Sequence, residues 1–168
     1  MLSNKIAFLA LVLVLIAVAA ADPRTRVIIH KNERFCILLP RTPGSKIVDS
    51  LKKSVSYCTS LVSEVRYAKE LPSGFVERAY YKEAKDLSYS QVTGTFDPDT
   101  FSLSSRDNGG MASPRRPDGA QCLGFKYFIQ FVEPRKGFFC IRCCHNKRDC
   151  PIDKAYKGCR AVIPGKYY

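Results

Sequence analysis

A cluster of four cysteines in eleven residues, CIRCCHNKRDC at 140–150, constrains the fold more than any other feature of this chain. Cysteines at such density bind a metal ion, form a redox pair or close disulfides, and the cellular compartment decides among the three. The sequence of 168 residues contains eight cysteines: Cys36, Cys58, Cys122, Cys140, Cys143, Cys144, Cys150 and Cys159. The destination of the chain therefore has to be inferred before the cluster is interpreted.

The N-terminal segment predicts export. It reads MLSNKIAFLALVLVLIAVAAA, in which the base Lys5 precedes an apolar run that ends in the small residues Ala19 and Ala21. This layout is typical of a secretory signal cleaved after an A-x-A site. The run of 16 residues at 6–21 is shorter than the roughly 18 that a retained membrane anchor requires. We expect a signal peptide at 1–21, a secreted, extracellular cysteine-rich domain at 22–168, and no transmembrane segment in the mature chain.

An even number of cysteines in an exported chain predicts four disulfides. Eight cysteines allow on the order of a hundred pairings, and strand geometry removes some of them. If 138–144 is a strand, Cys140 and Cys143 lie about 10 Å apart, whereas a disulfide requires Cα atoms within about 7 Å of each other. The CIRC motif is therefore not expected to close on itself, which argues against a thioredoxin-like redox pair.

The same geometry limits the partners of the remaining cysteines. Cys143 and Cys144 are adjacent, so in a strand they face opposite sides of the sheet and require different partners. One of these bonds is expected in the core and the other in the C-terminal tail, where Cys150 and Cys159 are the natural partners.

A zinc site is the competing interpretation, because Cys-x-x-Cys-Cys-His at 140–145 contains suitable ligand atoms. The oxidising compartment, the lack of a second spaced pair of ligands and the strand geometry argue against it. We expect neither a metal ion nor a cofactor.

Hydrophobic patterning predicts an α+β fold: a single disulfide-rich domain with an antiparallel sheet, one main helix and a cross-linked C-terminal tail. The main helix is predicted after Ser45 by residues that recur at helical spacing, Ile47, Leu51, Val55 and Cys58. A disulfide of Cys58 would then tie this helix to the sheet. Strands are predicted where β-branched and aromatic residues are concentrated, at 27–29, 35–39, 75–81 and 87–96.

The stretch 122–144 predicts a β-hairpin around the turn EPRKG. Alternate residues of its first strand face opposite sides, and both sides carry apolar groups, so the hairpin is expected to be the central pair of the sheet. A turn centred near Arg135 places Cys140 opposite Gln130. This register disfavours a bond between Cys122 and Cys140 and leaves the other pairings open.

The formal net charge of the chain is +12, and removal of 1–21 takes away one base, Lys5, and no acid, which leaves +11. Such a charge favours an acidic partner such as a polyanionic glycan, an anionic membrane surface or nucleic acid, and a host protein is a further candidate. The alternative is that the charge only maintains solubility. The candidate anion-binding residues form three basic pairs: Arg115, Arg116, Arg135, Lys136, Lys147 and Arg148.

No motif in the sequence supports catalysis. The chain has two histidines, His30 and His145, and an acid–base pair with basic residues on a phosphate would suffice for a ribonuclease. Glycosidase chemistry needs two carboxylates about 5 to 10 Å apart, and nothing singles out such a pair. We therefore expect a non-enzymatic protein, with a secreted hydrolase or ribonuclease as the alternative.

Several segments resemble a family of small secreted cysteine-rich fungal proteins found in filamentous and mycorrhizal lineages. They are FCILLPRTPG, YSQVTGTFDPDTFSLSSRDNGG, CLGFKYFIQFVEPRKGFFCIRCCHNKRDCP and GCRAVIPGKY, and the block CIRCC…DCP…GC…VIPG is the most specific. The resemblance covers nearly all of the mature chain. It implies a candidate effector in plant-root colonisation or symbiosis, similar to secreted proteins that arbuscular mycorrhizal fungi make in response to root signals such as strigolactones. The family offers no agreed catalytic residues, and a wall-binding or antimicrobial role is a further alternative.

Overall fold

Two five-stranded sheets face each other across a shared apolar core in this computed structural model, which describes residues 24–31 and 34–168. Sheet A contains β1 (Arg26–Lys31), β2 (Arg34–Leu39), β3 (Val55–Cys58), β4 (Lys69–Glu70) and β8 (Gln121–Cys122), in the spatial order β4-β3-β2-β1-β8. Sheet B contains β5 (Val76–Glu83), β6 (Tyr89–Phe96), β7 (Gly110–Ala112), β9 (Tyr127–Glu133) and β10 (Phe138–Cys144), in the order β5-β6-β10-β9-β7. The signal peptide predicted at 1–21 lies outside the described residues.

Helical structure in the described part of the chain consists of short pieces. The α-helices are α1 (Ile47–Ser50) and α2 (Cys159–Val162), with four residues each. Tight 3₁₀ turns are formed by Leu51–Lys53, Pro98–Phe101, Pro134–Lys136, Lys147–Asp149 and Ile152–Lys157. Among residues 24–31 and 34–168, no helix has the length and apolar character needed to cross a bilayer. The fold is mostly β, and the prediction of one main helix is wrong.

The predicted helix fails because its second half is a strand. At Ser54 the backbone is already extended, with φ −62° and ψ 150°, and β3 follows. Val55 and Tyr57 face the core between the sheets, whereas Cys58 packs on the opposite side. Since Leu51 and Val55 are four residues apart, their spacing fits a helix face and an alternating strand equally well. The disulfide of Cys58 accordingly joins two neighbouring strands instead of tying a helix to a sheet.

The predicted hairpin is confirmed, and β10 lies between β9 and β6 at the centre of sheet B. Both faces of β9 and β10 are buried, as the apolar residues on both sides of the strands predict. The predicted register is wrong by one residue, because Cys140 pairs with Phe131 instead of Gln130. The turn is closed by Gly137, which takes a left-handed conformation (φ 62°) and donates its N–H to the carbonyl of Pro134 at 3.1 Å. Four residues therefore separate the strands, which shifts the centre of the turn past Arg135.

Apolar clusters lie on both faces of each sheet. Between the sheets, the rings of Phe35 and Phe139 stack with their centroids 5.4 Å apart. A second cluster packs the C-terminal tail, including Ile163, onto the outer face of sheet B. A third packs Val62 and Val65 onto the outer face of sheet A. These layers place the tail, and the cysteine cluster that precedes it, against sheet B.

Four disulfides use the sulfur of every cysteine: Cys36–Cys58, Cys122–Cys143, Cys140–Cys159 and Cys144–Cys150. The CIRC motif does not close on itself, and Cys143 and Cys144 have different partners, as predicted. The first of these two bonds crosses the core between the sheets, and the second holds the tail. Because the sulfurs are bonded in pairs, the cysteine cluster consists of disulfide cross-links.

Candidate functional site

Three of the six predicted anion-binding residues line one groove of about 730 Å³, which we call the basic groove. This volume lies within the range of about 300 to 1,000 Å³ that ligand sites usually occupy. The groove is lined by Val48, Leu51, Gly109, Gly110, Met111, Ser113, Arg115, Arg116, Lys147, Ile152, Asp153 and Tyr156. These residues come from three regions of the chain, so the site exists only in the folded protein.

A tight turn after β7 presents the two arginines. The N–H of Ser113 donates to the carbonyl of Arg116 at 3.1 Å, and the N–H of Arg116 donates back to Ser113 at 2.9 Å. The hydroxyl of Ser113 also accepts from the N–H of Arg115 at 3.3 Å. These hydrogen bonds fix the backbone of the turn, and both arginine residues are exposed to solvent.

The cysteine cluster supplies the opposite wall. Lys147 lies in the short loop that the Cys144–Cys150 disulfide closes, and its carbonyl accepts from the N–H of Cys150 at 3.2 Å. The chain then continues through the 3₁₀ segment Ile152–Lys157, which brings Tyr156 to the groove. The disulfide therefore fixes the start of the whole wall.

The floor is built where α1 packs on β7. Asp107, which is buried, accepts the N–H of Ile47 with Oδ2 and the N–H of Gly109 with Oδ1, both at 2.8 Å. A Cβ atom at Gly110 would lie 3.3 Å from both Ile47 Cγ2 and Val48 Cα, a tight contact, so the lack of a side chain lets α1 pack closely on β7. One carboxylate thus holds together the two segments that form the floor.

The groove combines positive charge with exposed apolar surface. Among its described lining residues, Asp153 is the only acid, against Arg115, Arg116 and Lys147. Tyr156 is 82% exposed and Val48 is 54% exposed. The Nζ of Lys157 lies 5.7 Å from the centroid of the Tyr156 ring and adds a further cation beside the groove.

The other three predicted anion-binding residues are placed elsewhere. Arg135 donates from Nη1 to Asn108 Oδ1 at 3.3 Å. Lys136 forms an ion pair with Glu133, with Nζ 2.8 Å from Oε1. Arg148 is exposed on the cysteine loop and is not among the groove-lining residues. The strand β10 separates Arg135 and Lys136 from the cysteine loop.

The two histidines have separate neighbours. His30, on β1, places Nε2 at 3.6 Å from Glu64 Oε1. The pKa of Glu64 is lowered by hydrogen bonds from the backbone of Glu64 and from the Ser63 hydroxyl, and by electrostatic attraction to His30. The ring of His145, which follows β10, stacks on Phe125 with the centroids 4.7 Å apart, and the backbone N–H of His145 donates to the carbonyl of Ser88. Neither histidine lines the basic groove.

Within the described residues, no group of three or more His, Cys, Asp and Glu side chains is arranged to hold a metal ion. No protein family, curated protein or solved structure matches this chain. A function must therefore be inferred from the chemistry of the basic groove and from the sequence.

Proposed function

We propose that this chain is an exported, non-enzymatic binding protein that captures an acidic partner in the basic groove. The observation that carries the proposal is the convergence of Arg115, Arg116 and Lys147 on one concavity. Arginine suits this role because its planar guanidinium forms paired hydrogen bonds with a carboxylate. A single acid, Asp153, lines the same concavity and leaves its charge strongly positive.

Two features support export. The first 21 residues have the layout of a cleaved secretory signal. Four disulfides in a chain of this size are typical of proteins that mature in an oxidising compartment. Expression with residues 1–21 in a secreting fungal or yeast host should release a protein whose N-terminus begins at Asp22, and retention in the cell would contradict this part of the proposal.

Binding to an acidic polymer tests the central claim. The mature protein is titrated with fluorescent poly-L-glutamate, and the triple variant Arg115→Gln, Arg116→Gln, Lys147→Gln is compared with it. We expect the variant to lose about 10-fold in affinity at low salt, since each exposed ion pair contributes about 0.2 to 1 kcal/mol. The affinity of the unmodified protein should fall as the salt concentration rises.

A matched variant separates the groove from the overall charge. Arg66→Gln, Arg78→Gln, Lys85→Gln removes the same charge at exposed positions outside the groove. This variant should bind poly-L-glutamate nearly as well as the unmodified protein. Equal losses in the two triple variants would show that only net charge matters. RNA incubated with the pure protein should stay intact, and its degradation would contradict a non-enzymatic role.

The biological setting follows from the resemblance to secreted fungal proteins. We propose that the protein acts outside fungal cells as an effector during colonisation of plant roots. Silencing its gene should reduce root colonisation, and re-expression of the unmodified protein, but not of the Arg115, Arg116, Lys147 triple variant, should restore it. Unchanged colonisation after silencing would contradict this role.

A further inference from the structure

The lining of the basic groove is apolar as well as basic. Val48, Leu51, Met111 and Ile152 contribute aliphatic or thioether side chains, and Tyr156 adds an exposed ring. Apolar surface rimmed by charged residues is a feature of protein interaction sites. Charge alone therefore does not describe what the groove is built to hold.

This composition is poorly suited to a carbohydrate. Tyr156 is the one aromatic ring among the described lining residues on which a sugar could stack. Val48, Leu51, Met111 and Ile152 offer no hydrogen bond to a glycan, whose hydroxyl groups would lose water there without gaining a protein partner.

The shape argues against a membrane surface. The apolar side chains of Val48 and Met111 line a concavity between two walls, whereas insertion into a bilayer requires apolar groups that project from the protein. A groove with a floor and two walls fits an extended or helical segment of chain.

We infer that the occupant is an acidic, amphipathic peptide segment of a partner protein, an inference that rests on the function proposed above. Apolar side chains of the segment pack on the floor, and its carboxylates pair with Arg115, Arg116 and Lys147. Tyrosine is enriched among residues that dominate binding at interfaces, and methionine adapts its shape to different ligands. Tyr156 and Met111 therefore provide an anchor and an adjustable contact.

Asp153 limits where a carboxylate can bind in the groove. It lies on the wall formed by the cysteine loop and the 3₁₀ segment that follows it, and it repels a carboxylate placed beside it. The carboxylates of the segment therefore lie away from Asp153 and beside Arg115, Arg116 and Lys147.

Three probes distinguish this occupant from the alternatives. The first is a labelled ten-residue peptide that alternates leucine with glutamate, the second is the same peptide with serine in place of leucine, and the third is polygalacturonate. We expect the leucine peptide to bind at least about 10-fold more tightly than the serine peptide, because one or two buried leucine side chains supply that difference. Polygalacturonate should bind no more tightly than the serine peptide.

A pair of variants tests whether the exposed apolar side chains of the groove cause the difference in affinity between the two peptides. Val48→Ser with Tyr156→Ala should lower the affinity for the leucine peptide about 10-fold and leave that for the serine peptide unchanged. Leu61→Ser with Tyr67→Ala is the matched control, since these residues are 66% and 71% exposed and lie outside the groove. This control should change neither affinity.

The possible results separate the two proposals. If the protein bound both peptides equally and the Arg115, Arg116, Lys147 triple variant bound neither, the proposal of an amphipathic occupant would be overturned. The proposal of acidic capture would stand. Tighter binding of polygalacturonate than of the leucine peptide would overturn it in favour of a glycan. If none of the three probes bound, or if the triple variant bound them as tightly as the unmodified protein, the proposal of acidic capture itself would be overturned.

Discussion

At the scale of single residues, Gln130 links the two sheets through the middle of the protein. Its side chain is buried, with Oε1 accepting the N–H of Leu38 at 2.8 Å and Nε2 donating to the carbonyl of Leu38 at 2.7 Å. Leu38 belongs to sheet A and Gln130 to sheet B. A buried polar group is stabilising only when its hydrogen bonds are made, so this paired contact favours one alignment of the sheets.

Replacement of Gln130 by leucine should destabilise the protein by about 2 to 4 kcal/mol. The substitution leaves the buried N–H and carbonyl of Leu38 without their side-chain partner, and each unsatisfied group costs about 1 to 3 kcal/mol. Urea unfolding, followed by tyrosine fluorescence, measures the change in the free energy of unfolding. Gln121→Leu, at an exposed position of β8, is the control and should change it by less than about 0.5 kcal/mol.

Tyr167 is a second buried polar residue, and it titrates. Its hydroxyl donates to the carbonyl of Ile163 at 2.7 Å, within the C-terminal tail. Burial raises the pKa of Tyr167, and the nearby charge of Glu133 raises it further. In the unfolded chain a tyrosine ionises near pH 10. The folded protein therefore keeps this proton at a pH where the unfolded chain loses it, and stability falls as the pH rises through that interval.

Tyr167→Phe should flatten the alkaline loss of stability. At pH 7 the variant is expected to be less stable by about 1 kcal/mol, because it lacks the hydrogen bond to Ile163. Between about pH 9.5 and pH 11, however, its free energy of unfolding should fall less steeply than that of the unmodified protein. Guanidinium unfolding at several pH values measures both slopes, and parallel slopes would contradict the role given to Tyr167.

At the scale of elements, the positions of most strands could be predicted from the sequence. The register of the β9–β10 hairpin and the end of the helix after Ser45 could not. β1, β2, β5, β6 and the β9–β10 hairpin coincide with runs of β-branched and aromatic residues, which fit a pleated, half-buried surface. The helical spacing from Ile47 to Val55 is ambiguous, and packing of Val55 and Tyr57 between the sheets decides for a strand. The hairpin register depends on the left-handed backbone of Gly137, a feature of the turn that apolar patterning does not reveal.

α1 owes its position to Asp107 more than to its own length. A helix of four residues is too short to be stable alone, and the Asp107 carboxylate holds both its first N–H and the segment before β7. Asp107 is thus a positioning residue for the floor of the basic groove.

Asp107→Ala should weaken binding of poly-L-glutamate about threefold or more and lower stability by about 2 kcal/mol, since two N–H groups lose a charged acceptor. The direction of the binding effect is diagnostic. Loss of a negative charge beside the groove would by itself strengthen binding of an acidic polymer. Asp99→Ala, which removes an exposed carboxylate, is the control. A gain of affinity in Asp107→Ala would show that Asp107 acts only through its charge.

At the scale of the whole molecule, the basic groove depends on contacts between segments far apart in sequence. Pairing of β7 with β9 and attachment of the tail to sheet B bring the arginine turn beside the cysteine loop. The basic pairs were visible in the sequence, but which of them converge was not. Val48, Met111 and Tyr156 carried no signal of their own, because single exposed apolar residues are common on protein surfaces.

The disulfides divide between those that stabilise the fold and one that shapes the groove. Cys36–Cys58 lies on the outer face of sheet A, with 22 residues of separation, and the described apolar cluster around it contains no groove-lining residue. Cys144–Cys150 has a separation of six residues and closes the loop that carries Lys147. Because Cys36–Cys58 closes the longer loop, it is expected to stabilise the protein by about 3 kcal/mol, whereas Cys144–Cys150 is expected to contribute about 2 kcal/mol.

Removing these two bonds separately should therefore dissociate stability from binding. The variant Cys36→Ala, Cys58→Ala should lose about 3 kcal/mol in the free energy of unfolding and bind poly-L-glutamate as tightly as the unmodified protein. The variant Cys144→Ala, Cys150→Ala should lose less stability but about 10-fold in affinity, because Lys147 and the wall that follows it are no longer held in place. Urea unfolding measures stability, and fluorescence anisotropy at 10 °C measures affinity once circular dichroism has confirmed that both variants are folded. If affinity simply followed stability across both variants, the cysteine loop would have no special part in forming the groove.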